Sequence, residues 1–311
     1  MDYKIVKLNS TDIGKETESR LSFWGNPLLL ESFAKRDELN FYYLVVSNNE
    51  KMVAIMPVFE RRKFGIKYIV QPYEYYYTPI DFLLLENQSF YKTQNHQLEI
   101  YKILASYLKK EFYKINIHFD MSIQDIRAFK WSKFDIEPLY TYVKSIQDYD
   151  SDTLPRETKR NLNNKAKKEL QIKNIWDLEI YKSLSENMLN RINRSHRQIQ
   201  PNFIRFLDDL HKKGFCEMYV ALKDELSIAC NILLKDKEKF LMYAFPYAVN
   251  EIGKEYRANS FCFDHIFSCH KEYNQFDFSG ANIENIAYFK SQFNCELVSY
   301  YRVSKKIFNI K

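Results

Sequence analysis

Phe276-Asp277-Phe278-Ser279-Gly280-Ala281-Asn282, followed by Ile283 to Phe293, is the stretch that decides the fold. It reads as a short strand, a turn containing glycine, and an amphipathic helix. Ile283, Ile286, Phe289 and Phe293 recur at helical spacing and form one apolar stripe. Lys290 falls inside that stripe, not opposite it. A lysine there snorkels along the helix edge, pairs with an acid, or accepts a depressed pKa. The sharper reading is a functional cation held by the strand–turn–helix frame.

Upstream of this stretch, Phe215 to Leu222, Leu226 to Leu234 and Phe240 to Phe245 are rich in strand formers and form a predicted meander. A helix is expected over Ser260 to Tyr273, and a last strand over Leu297 to Val303. Before the meander, Leu178 to Asn193 and Asn202 to Lys212 read as helices, the second ended by Gly214. Pro155 to Leu170 reads as a charged helix.

The first half runs in the same order. Tyr3 to Leu8 is a predicted strand and Pro27 to Lys35 a helix with proline at its start. Phe41 to Ser47 and Met52 to Glu60 flank a hairpin turn at Asn48-Asn49-Glu50, and Ile66 to Gln71 extends the sheet. Leu98, Tyr101, Leu104, Ala105, Leu108 and Phe112 mark a helix. A strand at Ile115 to Phe119, a short helix at Ile123 to Phe129 and a strand at Tyr140 to Ile146 close the half. The repeat lies in element order, not in residue identity, and implies two copies of one domain. The expected join is the acidic stretch Asp148 to Asp152, giving domains 1–150 and 151–311.

Composition narrows the function. The chain has 311 residues, 46% of them hydrophobic, which excludes global disorder. Its six glycines include neither a GxGxxG nor a GxxxxGK[ST] loop. A net charge of +6 permits an anionic partner without demanding one. Five cysteines with no CxxC, and no signal peptide, point to reduced thiols in a cytoplasmic protein. No apolar run approaches the roughly 20 residues of a membrane helix, although a peripheral membrane contact remains open. Cys262, His265 and Cys269 share one helix face but lack a fourth ligand, so no metal is expected.

The element order resembles the GNAT acyltransferase fold in tandem, and several segments sharpen the likeness. Leu154-Pro155-Arg156-Glu157-Thr158-Lys159-Arg160-Asn161-Leu162 resembles the segment that opens the second domain of Fem-type proteins, the non-ribosomal peptidyltransferases of peptidoglycan cross-bridges. Phe276 to Gly280 with Tyr288-Phe289-Lys290-Ser291-Gln292-Phe293 resembles that family's terminal motif. Ala54 to Val58 with Arg61-Arg62 resembles its first-domain strand. The implied fold is α/β, of the α+β kind: two GNAT-like domains, each a mixed, mostly antiparallel sheet flanked by helices. The chain departs from the pattern in lacking the coiled-coil arm of larger Fem proteins. It also lacks the two-glycine pyrophosphate loop of acetyl-CoA enzymes, having Val249 to Asn259 with only Gly253 in its place.

The resemblance implies an enzyme that transfers an acyl or aminoacyl group to an amine, with Phe289-Lys290 as the aromatic–lysine pair linked to catalysis. Lys290 would stabilise a tetrahedral oxyanion, and Asp277 would orient a lysine or a substrate amine, unless it only caps the following turn. Arg156, Lys159 and Arg160 read either as a phosphate clamp or as a solvated helix face. Tyr73, Tyr75, Tyr76 and Tyr77 offer rings and hydroxyls to an acceptor, or simply pack against the sheet. Tyr256 and Arg257 fall where a donor would lie. The expected donor is an aminoacyl-tRNA or an acyl thioester, with no tightly bound cofactor. The expected acceptor is a cell-envelope precursor, either a peptidoglycan-type peptide or an amino sugar. Two other readings stand beside this one: an acyl-CoA or acyl-carrier-dependent N-acyltransferase of polysaccharide or lipid synthesis, and a non-enzymatic RNA-binding GNAT pair.

Overall fold

Strand β1 (Tyr3–Leu8) runs antiparallel to β2 (Asn40–Asn48), and β2 to β3 (Lys51–Lys63). These are elements of a computed structural model that describes residues 3–83, 89–191 and 195–305. Asn49 and Glu50 have φ of 48° and 66°. That left-handed pair matches the right-handed twist of the strands on either side, so the expected turn closes β2 onto β3. Helix α1 (Lys15–Glu18) and helix α2 (Pro27–Asp37) precede β2. Asn26 caps α2 by accepting from the Leu28 and Leu29 amides, and Pro27 occupies its first turn, where no amide partner is lost. Five consecutive residues of β2, Tyr42 to Val46, are buried. Unbroken burial means both faces of the sheet are covered.

The chain packs as two units, Met1–Leu139 with Ser299–Lys311, and Tyr140–Val298. In the first, β3 also pairs with β4 (Ile66–Ile69) and with the two-residue β5 (Asp81–Phe82). Helix α3 (Phe90–Glu111) buries Ile100, Tyr101, Leu104, Ala105 and Leu108 against the sheet, as its stripe requires. β6 (Lys114–His118) lies parallel to β4. Arg302 to Lys305 run antiparallel along the other side of β6. Helix α4 (Arg127–Trp131) starts and ends later than the expected Ile123 to Phe129. β7 (Asp135–Ser145) follows.

In the second unit, α5 (Arg156–Asn161), a π-helical turn (Leu162–Ala166) and α6 (Lys167–Glu169) replace the uniform helix expected over Pro155 to Leu170. The reason is in the buried positions: Leu154, Thr158, Leu162, Ala166 and Leu170 are spaced by four. A regular helix turns in about 3.6 residues, so a stripe of period four drifts off the core unless one turn widens. β8 (Gln171–Asn174) has no counterpart in the sequence reading; its four residues form an edge strand on β9. Helix α7 (Leu178–Arg191) is described as far as Arg191, and the expected end at Asn193 lies outside the described residues.

Helix α8 (Pro201–Lys212) leads to the antiparallel meander β9 (Cys216–Lys223), β10 (Leu226–Asp236) and β11 (Leu241–Val249). Helices α9 (Glu251–Glu255) and α10 (Ala258–Cys269) follow, the latter ending short of the expected Tyr273. β12 (Gln275–Asp277) lies parallel to β11, and the Val143 to Ser145 end of β7 lies antiparallel to β12. Helix α11 (Glu284–Ser291) and β13 (Glu296–Lys305) complete the chain. Among the described residues each unit therefore has one parallel pair of strands, β4–β6 and β11–β12, with a helix crossing between the pair, and the isolated bridge Thr78–Phe119 in the first unit is parallel too. Strand pairing sets Val143–Ser145 of β7 beside β12 and Arg302–Lys305 of β13 beside β6.

Candidate active site

At the carboxyl end of β12 the backbone makes a turn in which Ser279 and Gly280 have φ of 56° and 95°. Glycine tolerates that region; a serine there costs about 1 kcal/mol and needs support. The support comes from β7. Thr141, fully buried, donates from Oγ1 to Asp277 Oδ1 at 2.5 Å and accepts from the Gly280 amide at 3.0 Å. Asp277 Oδ1 also accepts from the Ser279 amide at 2.8 Å, so this carboxylate does cap its own turn. The Phe278 amide donates to the Tyr142 carbonyl at 2.9 Å. Asn282 exchanges hydrogen bonds with the Tyr140 backbone, at 2.8 Å as acceptor and 3.2 Å as donor. Thr141 was missed by the sequence reading. Its partner lies 136 residues away, and no local pattern marks it.

Lys290 sits in the last turn of α11 with 7% of its surface exposed. Its Nζ donates to the Phe278 carbonyl at 2.5 Å and to the Gly280 carbonyl. The ammonium does not snorkel to solvent. It binds the two carbonyls that the left-handed turn directs at the helix. Burying an ammonium is costly, and charge-assisted hydrogen bonds to carbonyls offset much of that cost. The turn and the helix are thus held by one cation. Phe289, half-buried, packs its ring 6.1 Å from Phe263 and 5.6 Å from Phe293. Ile283 is instead 45% exposed, so the apolar stripe starts later than its spacing implies.

Helix α5 lies alongside this frame. Thr158 is buried and its Oγ1 donates to the Gln292 carbonyl at 3.4 Å, two residues beyond Lys290. Further along the same helical segment, Lys167 reaches Asp264 at 3.5 Å, and Glu169 accepts from the Tyr256 hydroxyl at 2.9 Å. Asp264 is buried and also accepts from the Tyr149 hydroxyl at 2.7 Å. Burial, then that bond to Asp264, pushes the Tyr149 phenol well above its ordinary value. With the segment anchored this way, Arg156 and Arg160 are exposed. Lys159 is half-buried and donates to the Asp152 carbonyl at 2.8 Å. The ring of Tyr256 lies 5.1 Å from the Lys223 ammonium, and Arg257 is an exposed left-handed residue (φ 54°) capping α10.

The segment before α10 is closely packed. Asn250 caps α9 by accepting from the Gly253 amide at 2.8 Å. A Cβ on Gly253 would come within 2.3 Å of the Ile228 carbonyl oxygen. Gly253 is therefore set by its approach to β10. Cys262 is fully buried, and burial raises its thiol to about 12, so it is an inert core residue. No group of three potential metal ligands occurs among the described residues.

The tyrosine run belongs to the first unit. Tyr75 and Tyr77 are core residues, 1% and 0% exposed. Tyr75 donates to the Trp24 carbonyl at 2.5 Å and packs edge-on to Trp24, Phe33 and Phe59. Tyr77 packs against Trp24 and Tyr300. Burial holds the Tyr75 phenol far above its usual range. Tyr73 and Tyr76 keep part of their surface exposed. Of the residues named in the second half, Asp277 and Lys290 meet at the turn after β12 and Phe289 precedes Lys290 on α11, while α5, which carries Arg156, Lys159 and Arg160, touches this frame through Thr158. The tyrosines form a separate group.

No protein-family model matches the chain, and no curated protein matches it. Solved structures do. FemX matches with a TM-score of 0.67 at 12% identity, over 95% of this chain and 96% of FemX. The C-terminal domain of a putative lysylphosphatidylglycerol synthetase from Agrobacterium fabrum matches with a TM-score of 0.57 at 10% identity, over 89% of this chain and 87% of that one. A tandem GNAT protein of the clavulanic acid biosynthesis pathway matches with a TM-score of 0.54 at 8% identity, over 97% and 98% of the two chains. The strand order, the parallel step in each unit and these likenesses agree: the chain has the tandem GNAT fold, with the mixed sheets and flanking helices that its element order implies.

Proposed function

We propose that this chain is an acyl or aminoacyl transferase that forms an amide on an amine of a cell-envelope precursor, a peptidoglycan-type peptide or an amino sugar. The observation that carries the reading is the frame around Lys290. A buried cation holds a left-handed turn at the carboxyl end of a parallel strand, and two exposed arginines stand on the adjoining helix. The carboxyl ends of parallel strands are where open α/β sheets place ligands. The fold shared with FemX, and with a protein named for making lysylphosphatidylglycerol, supports the same class.

In this reading the acceptor amine attacks the donor's carbonyl carbon. Negative charge develops on the carbonyl oxygen, and the positive charge of Lys290 stabilises it across the turn. The tetrahedral intermediate collapses by breaking the donor's acyl C–O ester bond, and the amine's proton passes by way of a substrate phosphate or carboxylate to the departing ribose hydroxyl, since no side chain in the frame is committed to that task. Arg156 and Arg160, with Lys159 behind them, bind donor phosphates. Tyr256 and Arg257 flank the donor. An aminoacyl-tRNA is the favoured donor over an acyl thioester, because close packing at Gly253 leaves the GNAT pyrophosphate position without its usual loop.

The test is tRNA binding at about 150 mM salt, where distant charges are screened. We expect Arg156→Ala/Arg160→Ala to weaken binding by about tenfold or more and to lower the salt slope by about two, with the melting temperature unchanged. Equal binding by variant and wild type would remove the arginines from the donor site. Saturable binding of an acyl-CoA with no tRNA binding would replace the donor.

A further inference from the structure

The β3–β4 hairpin ends in Phe64 and Gly65, with φ of 49° and 75°. The Phe64 side chain is 91% exposed, and nothing lies within 4 Å of where a Gly65 Cβ would be. The strand register pairs Lys63 with Ile66, Arg62 with Lys67, Arg61 with Tyr68 and Glu60 with Ile69. Cross-strand partners share a face of the sheet, and faces alternate along each strand. One face of the hairpin therefore carries Glu60, Arg62 and Lys67. On it every cation has an acid: Arg62 bonds Glu60 at 2.5 Å, and Lys67 reaches Glu111 at 3.6 Å. The other face carries Arg61, Lys63, Ile66 and Tyr68. Neither Arg61 nor Lys63 is ion-paired among the described residues; Arg61 donates to the Asp37 carbonyl at 3.4 Å, and the Lys63 ammonium lies 5.6 Å from the Phe64 ring. Ile66 is 39% exposed, and Tyr113, 47% exposed, packs its ring against Tyr68.

We infer that this hairpin is a membrane-surface anchor, taking an anionic lipid bilayer as its ligand. The two faces separate the fold's need for charge from the surplus. Cations on the inner face are neutralised by acids of the fold. Those on the outer face keep their charge beside an exposed phenylalanine, an isoleucine and two tyrosines. That combination suits the interface, where an aromatic ring enters the acyl boundary, tyrosines sit at headgroup depth and cations meet lipid phosphates. The inference rests on the hairpin alone and does not depend on the transferase reading.

The experiment is co-sedimentation of the full chain with vesicles of phosphatidylcholine, with and without about 30% phosphatidylglycerol. Wild type is expected to bind the anionic vesicles and not the neutral ones. Phe64→Ser should weaken binding about tenfold, the effect of losing one buried ring. Arg61→Glu/Lys63→Glu should weaken it roughly a hundredfold. Both variants should keep a melting temperature close to wild type, since they lose only the exposed Lys63–Phe64 contact or the long Arg61 bond to the Asp37 carbonyl. Failure of wild type to bind anionic vesicles, or wild-type binding by both variants, would overturn the inference. So would loss of tRNA binding in the hairpin variants without any vesicle binding, which would assign the face to RNA. The Arg156→Ala/Arg160→Ala protein should bind vesicles as wild type does, so failure of the transferase reading is told apart from failure of this one.

Discussion

Both units carry a Phe-Lys pair in the last turn of the helix after their second parallel strand: Phe129-Lys130 in α4 and Phe289-Lys290 in α11. They bury opposite members. Phe129 is fully buried against Tyr101, Phe119 and Phe134, while Lys130 is exposed. Lys290 is buried, while Phe289 keeps part of its ring exposed. The difference arises before the helix. In the first unit the chain leaves β6 through Asp120, whose side chain accepts from the Ser122 amide at 2.9 Å. In the second, two left-handed residues direct the Phe278 and Gly280 carbonyls at the helix. A lysine becomes a core residue where carbonyls await it, and remains a surface residue where they do not. The first unit keeps the scaffold; the second has added a buried charge to it.

The largest break in this comparison should come from the lysines themselves. Lys290→Met keeps the length of the side chain but leaves two buried carbonyls without a donor, a loss of about 3 kcal/mol by urea unfolding. We expect amide transfer to fall on the order of 100-fold in Lys290→Met, the scale of losing one oxyanion donor. Lys290→Arg keeps both a cation and N–H donors, so it should recover part of the stability and part of the rate together. Lys130→Met should change stability by less than about 0.5 kcal/mol and leave transfer intact. Similar losses at both lysines would erase the distinction between the units.

A smaller effect is expected at Thr141. Thr141→Val removes the hydroxyl that links Asp277 to the Gly280 amide and leaves both buried groups short of a partner. The expected cost is about 2 kcal/mol, with transfer reduced because the turn carbonyls are released. A fully active and fully stable Thr141→Val protein would show that the turn needs no support from β7.

The first unit offers the smallest and most gradual effect. Burial, reinforced by Arg302, lowers the His118 pKa from 6.5 to about 4. Between those values the unfolded chain binds a proton that the folded protein refuses. The stability owed to neutral His118 is therefore complete above about 6.5 and is lost as pH falls toward about 4. His118→Gln should flatten that part of the stability–pH curve. An unchanged curve would place the acid sensitivity elsewhere.

Most elements were legible because they rest on local rules. The β2–β3 turn followed from Asn48-Asn49-Glu50, α3 from its stripe, and α2 from Pro27 at its start. The anomaly of Lys290 was visible too, since a charge on an apolar stripe can be read from spacing alone. Its solution was not, because the partners are backbone carbonyls, which carry no residue identity. The π turn was hidden in the same way: the four-residue spacing of Thr158, Leu162 and Ala166 is apparent only once those positions are known to be buried.

By itself the sequence determined where the chain bends, which faces are apolar and the repeated order of elements, since period, caps and turns act within a few residues. The tertiary structure alone decided that Tyr75 and Tyr77 are core, that Thr141 supports Asp277, and which of two Phe-Lys pairs buries its lysine. Each of those outcomes depends on partners far away in the chain, as with the 136 residues between Thr141 and Asp277. Local propensity carries no information about a partner at that distance.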